Sequence, residues 1–124
     1  MGYSMLVGIA ATVMVGTVWA QFDNRTIVGA GNEHLSQGAW AITMRQYDEG
    51  IRLTHIGLER YIPSIEDRAS AYSNLCAAHA AKGEPDTAIK FCTESLLLVG
   101  GNWRAYSNRS YAYLLKGMYS EATF

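Results

Sequence analysis

The chain has 124 residues, a formal net charge of -1 and 49% hydrophobic residues. That suits one folded domain and excludes a protein that draws nucleic acid or anionic lipid by bulk charge. Two prolines stand against twelve glycines, and Ala, Leu and Tyr recur at helical spacings, so an all-helical chain is expected rather than a sandwich or a barrel.

The first charged side chain is Asp23. Before it, LVGIAATVMVGTV, Leu6 to Val18, has the length and softness of a signal-peptide core, and Val18-Trp19-Ala20 offers small or modest residues at the two positions a signal peptidase reads. Residues 1–20 are therefore expected to be a signal peptide cut after Ala20. MGYSM carries no Lys or Arg for the usual positive front end, which leaves three alternatives, a start upstream of Met1, an uncleaved N-terminal anchor or a soluble protein with an unusual N-terminus. Residues 21–32 show no helical period and read as a linker. Their VGAGN contains a GxG, but no strand precedes it and no third glycine follows at the dinucleotide spacing, so neither a phosphate-cradling loop nor any other cofactor site is expected.

A first helix begins near Glu33, and QYDEGI, Gln46 to Ile51, reads as a turn and the opening of a second. Pro63 marks a break before the next helix. The stretch AYSNLCAAHAAKG, Ala71 to Gly83, then returns as AYSNRSYAYLLKG, Ala105 to Gly117, with seven of thirteen residues unchanged. Tyr72 and Tyr106, Ser73 and Ser107, Asn74 and Asn108, and Gly83 and Gly117 are all 34 positions apart. After each copy comes a turn. In KGEP, Gly83 ends one helix where a left-handed residue is cheap, and Pro85 starts the next where its missing N–H costs nothing. LKGMYSEA, Leu114 to Ala122, is the second version.

A 34-residue period built of two helices resembles the tetratricopeptide repeat. Tyr72, Leu75, Cys76 and His79 stand at the first-helix slots for an aromatic, a Leu, a small residue and an aromatic, and Ala88 and Cys92 at the second helix's small and bulky slots. Tyr106, Ser110, Tyr113 and Ala122 repeat the arrangement, with Arg109 in place of Leu. Gly100 and Gly101 replace the Pro that often ends a unit. Before them a degenerate unit has Gly38 at the small slot, Tyr47 at the turn and Gly50 for the habitual Ala. The resemblance implies an all-α fold of antiparallel helix pairs stacked as a short solenoid over residues 33–124, with units of about 33–68, 69–102 and 103–124, the last incomplete. Gly50 and Ala88 are 38 apart, so the second helix and exit of the first unit are expected to be longer by about one turn, held within Tyr61 to Ala69.

Cys76 lies seven residues before Gly83 and Cys92 seven after Pro85, so the two cysteines are able to face each other across one helix pair. In an oxidising compartment they would form a disulfide worth about 3 kcal/mol; otherwise they are small buried thiols in core slots. Two sulfurs without a second Cys or His pair do not make a zinc site, so no metal is expected. His34, His55 and His79 are scattered outside any HExxH spacing, and Ser70, Ser73, Ser107 and Ser110 lack an identifiable base. No carboxylate pair stands out among Glu33, Asp48, Glu49, Glu59, Glu66 and Asp67, so enzyme activity is not expected. Asn24-Arg25-Thr26 and Asn108-Arg109-Ser110 match the glycosylation tripeptide by chance.

The expected function is protein binding. Helical geometry sets Ser70, Ser73, Asn74, Ala77 and Ala81 opposite the packing stripe, with Arg104, Ser107, Asn108, Tyr111 and Leu115 as their counterparts one period later. The resemblance implies that this face lines a concave groove for an extended peptide. There the Asn74 and Asn108 amides would grip its backbone and Arg104 a carboxylate, small Ala77 would let a strand approach, and Tyr111 would form a wall. Ser73 and Ser107 stand where carboxylate-gripping grooves often carry Lys. The competing reading has these Asn residues bonding only to a neighbouring helix. Expected partners are a protein or peptide, with no nucleic acid and no membrane beyond the anchor alternative, and the expected location is the bacterial periplasm. The third unit's second helix only begins before Phe124. Either the chain is a fragment of a longer protein, or Tyr106, Tyr113 and Leu115 are covered by another molecule, a sister chain included.

Overall fold

A computed structural model describes residues 32–118 and residue 121. The expected signal segment, nearly all of the linker, and the opening of a second helix in the third unit lie outside them. Among the described residues there are five helices and no strand: α1 (Glu33–Thr43), α2 (Tyr47–Arg60), α3 (Ile65–Ala81), α4 (Pro85–Leu98) and α5 (Trp103–Leu115). None is long and apolar enough to cross a membrane.

Four of the five described helices begin for a local reason. Asn32 caps α1 by accepting from the Leu35 N–H at 3.2 Å, while its own amide donates to the Gly57 carbonyl at 2.9 Å, tying the start of α1 to the end of α2. Ser64, just after Pro63, caps α3 through the Asp67 N–H at 3.0 Å. Pro85 occupies the first turn of α4. Asn102 accepts from the Ala105 N–H and donates to Ser95 Oγ at 3.0 Å, and that hydroxyl donates to the Ala69 carbonyl at 2.6 Å. This relay fastens α5 to α4 and α4 to α3 through the fully buried Ser95.

The three helix-to-helix turns at residues 44–46, 82–84 and 116–118 share one hydrogen-bond pattern. Met44 N–H reaches the Trp40 carbonyl, Arg45 the Ile42 carbonyl and Gln46 the Ala41 carbonyl; Lys82, Gly83 and Glu84 reach Ala78, Ala80 and His79; Lys116, Gly117 and Met118 reach Ala112, Leu114 and Tyr113. The central residue is left-handed each time, with φ of 63° at Arg45, 76° at Gly83 and 73° at Gly117. Glycine takes this conformation freely, whereas Arg45 bears a cost of about 1 kcal/mol. Arg45 thus stands 38 positions before Gly83, and Gly83 34 before Gly117. The four additional residues lie at the front of α3, which has 17 residues against 13 in α5, and not in α2, which matches α4 at 14 residues. Ser64 is the cause, because it caps the helix a full turn ahead of Ala69.

Within each pair the helices run in opposite directions. A Cβ added at Gly38 would meet the Thr54 backbone N at 2.9 Å and the Gly50 carbonyl at 3.0 Å, and one at Gly57 would meet Leu35. Residue numbers therefore fall along α1 as they rise along α2. Cys76 and Cys92 face each other across α3 and α4. Neighbouring helices pack in chain order, and α1 also touches α3, as α3 touches α5. The main core is made of Cys76, Ala80, Ala88, Cys92, Ala105 and Ala112, with Ile89, Phe91 and Leu96 packed against it. Small residues let these backbones approach closely, but they bury little apolar area.

Candidate functional site: the face shared by α3 and α5

Asn108 on α5 donates its amide to the Ser73 carbonyl on α3 at 3.2 Å and lies 3.5 Å from the Ser73 hydroxyl. This corrects the expectation that Ser73 lines an open face. Ser73 is 2% exposed, because α5 arrives on the side of α3 that carries it. Asn108, half-buried, serves at least in part as a helix-to-helix fastener, which was the competing reading of that residue. Ser70, Asn74 and Ala77 remain half-buried beside the seam, and Arg104, Ser107 and Tyr111 are exposed. The Asn74 amide has no hydrogen-bond partner among the described residues. The Arg104 guanidinium sits 4.9 Å from the centre of the Trp103 ring, a cation–π contact that leaves its N–H donors available. The face thus offers one unpaired amide, small side chains on α3, and an aromatic ring and a cation on α5.

Arg109, the departure from Leu, snorkels. Its guanidinium lies 5.5 Å from the Tyr106 ring centre and one nitrogen is 3.5 Å from Thr93 Oγ1. The Cys76 and Cys92 sulfurs are bonded, with Cα atoms 5.3 Å apart. Beside them Phe91 gathers an aromatic cluster that single-residue pattern matching does not reveal: His79 stacks on it at 5.5 Å, Tyr72 at 6.0 Å, and His55 from α2 tilts onto it at 5.9 Å. Phe91, next to the bonded Cys92, thus joins α4 to α3 through His79 and Tyr72 and to α2 through His55.

Ionic contacts also repeat. Lys82 at the end of α3 meets Asp48 at the start of α2 at 2.6 Å, and Lys116 at the end of α5 meets Asp86 at the start of α4. Both pairs join a turn to the preceding helix pair, and the sequence signal for them was the Lys retained before Gly83 and Gly117. Hydrogen bonds to Asp48 and then Glu84 raise the pKa of the Lys82 ammonium, and the Lys82 hydrogen bond lowers that of Glu84. Such exposed pairs contribute little to stability.

His79 behaves oppositely. Burial lowers its pKa, and Glu84, 3.6 Å away, offsets this only in part. The folded protein therefore binds a proton at His79 less readily than the unfolded chain does. Stability from this residue is intact above its ordinary pKa of about 6.5 and declines as pH falls from there towards the lowered folded value. Replacing His79 with Phe is expected to flatten that acid-side slope in urea melts between about pH 7 and 5; an unchanged slope would contradict the assignment.

Among the described residues no group of His, Cys, Asp and Glu is arranged to hold a metal ion. Comparison of the chain with protein-family models and with curated proteins found no match.

Proposed function

We propose that this chain is a protein-interaction module, a short stack of tetratricopeptide-type helix pairs holding an extended segment of another protein along the face shared by α3 and α5. The observation that carries the reading is the Asn108 to Ser73 bond, which fixes α3 and α5, 34 positions apart, side by side. Beside this seam Ser70, Asn74, Ala77, Arg104, Ser107 and Tyr111 remain at least partly accessible. The repeated turn and the repeated Lys–Asp contact support equivalence of the units. The bonded cysteines agree with an exported, periplasmic location, since such bonds persist in oxidising compartments. The reading includes no catalytic step and no cofactor.

A photo-reactive residue placed at Ala77 tests it, with the same probe at Glu94, exposed on α4, as control. In cells that make the protein, the probe at Ala77 is expected to join one contiguous segment of another polypeptide, mapped by mass spectrometry, and adding Asn74→Ala is expected to reduce that adduct about tenfold. No adduct at Ala77, or the same adduct from Glu94, would overturn the reading.

A further inference from the structure

Equivalent positions on the first helices differ most at the two ends of the stack. Ala69, Ser73 and Ala80 on α3 are buried on the side that meets α5. One period later these positions hold Trp103, Ser107 and Leu114, and Trp103 is 67% exposed and Leu114 47%. At the other end, Trp40 on α1 stands at the turn-aligned position that is fully buried at Ala78 and Ala112, yet it is 49% exposed, with Met44 at 54% beside it. Both ends therefore present large apolar side chains where α3 and α5 carry small covered ones.

We propose that these ends bind each other, the outer face of α5 in one molecule docking on the outer face of α1 in a second copy, head to tail. Charge selects this pairing over α5 against itself. Helix α5 contains Arg104 and Arg109 and no acidic residue, whereas α1 contains Glu33 and no Lys or Arg. Continuing the parallel register that pairs Ser73 with Asn108 across one further step brings Ser107 to Ser36, Arg104 to Glu33 and Tyr111 to Trp40. Glu33 is exposed and among the described residues accepts only from Gln37 of its own helix at 2.8 Å, which leaves a carboxylate oxygen for Arg104. Leu114, carried to Thr43 in the same register, then lies against the α1 surface that offers Trp40 and Met44, and Trp103 falls at the N-terminal end of α1. Because the contact uses two different faces, it does not close at a dimer. It covers Arg104, Ser107 and Tyr111 of the proposed partner face but not Asn74, so Asn74→Ala is expected to leave this association unchanged.

Sedimentation of the full chain across a range of concentrations tests the proposal. The wild-type protein is expected to gain mass progressively without a plateau at two copies. Trp40→Asp blocks one face and Leu114→Asp the other, so each variant alone is expected to stay monomeric, while an equimolar mixture forms a dimer and nothing larger. Met44→Glu with Trp103→Glu repeats the test should either variant lose its helical circular dichroism signal. Glu33→Arg alone weakens association about tenfold, and Glu33→Arg with Arg104→Glu restores it. A wild-type protein that remains monomeric, association that survives Trp40→Asp, or a mixture that stays monomeric overturns the proposal.

Discussion

Removing the Cys76–Cys92 bond, by reductant or by Cys76→Ala with Cys92→Ala, is expected to lower folding stability by about 3 kcal/mol. The bond closes a loop across a sequence separation of 16, and without it the unfolded chain regains the conformations that the loop forbids. The loss is severe here because the surrounding core is built largely of alanines, each contributing little buried area. Domains of this size are stable by only about 5–15 kcal/mol. A melting temperature lower by on the order of 15 °C is expected for a domain of this length. Calorimetry with and without reductant, with free thiols counted by alkylation, measures it. Two free thiols with an unchanged melting temperature would show that the helix pair holds without its staple.

Gly38→Ala is expected to cost about 2 kcal/mol net, although alanine is the better helix former by about 1 kcal/mol. The added methyl would sit 2.9 Å from the Thr54 backbone N and 3.0 Å from the Gly50 carbonyl. Backbone does not swing aside as a flexible side chain does, so α1 and α2 must separate along the line where Gly38 and Gly50 face each other. Gly83→Ala provides the contrast. A Cβ there meets nothing within 4 Å, and only the left-handed φ of 76° opposes it, at about 1 kcal/mol. Urea unfolding of the two variants separates crowding from backbone strain, and equal losses would mean that the α1–α2 approach is looser than described.

The helices and their turns were legible because their causes are local. Gly83 and Pro85 announce a turn in any context, and the identities between Ala71–Gly83 and Ala105–Gly117 require the same local structure twice. The start of α3 was less legible. The 38-residue interval showed that a turn had been added, but only the Ser64 cap decides that α3 grows backwards rather than α2 forwards. The first turn was read from QYDEGI, but the left-handed residue in it, Arg45, was not, because an arginine gives no sign of such a backbone.

At the candidate face the seam was misread from the sequence, since Ser73 is buried. Helical geometry groups Ser73 with Ser70, Asn74 and Ala77, yet which of the four is covered depends on where α5 lands. That is a tertiary fact, set by the Asn102–Ser95–Ala69 relay and by the Asn108 amide. Phe91 and the Lys82–Asp48 contact were missed for a related reason, since each joins residues from different helix pairs.

Distances between paired spin labels test the central arrangement, α3 and α5 lying parallel with one face open, most directly. One pair would replace Ser70 and Arg104 and the other Ala81 and Leu115, with the native cysteines left bonded and unlabelled. Helices in contact lie about 8–10 Å apart, so both pairs should give the same short distance once the reach of the labels is included. A difference of more than about one helical turn, roughly 5 Å, would mean that the two helices splay or slide, and the shared face would not exist.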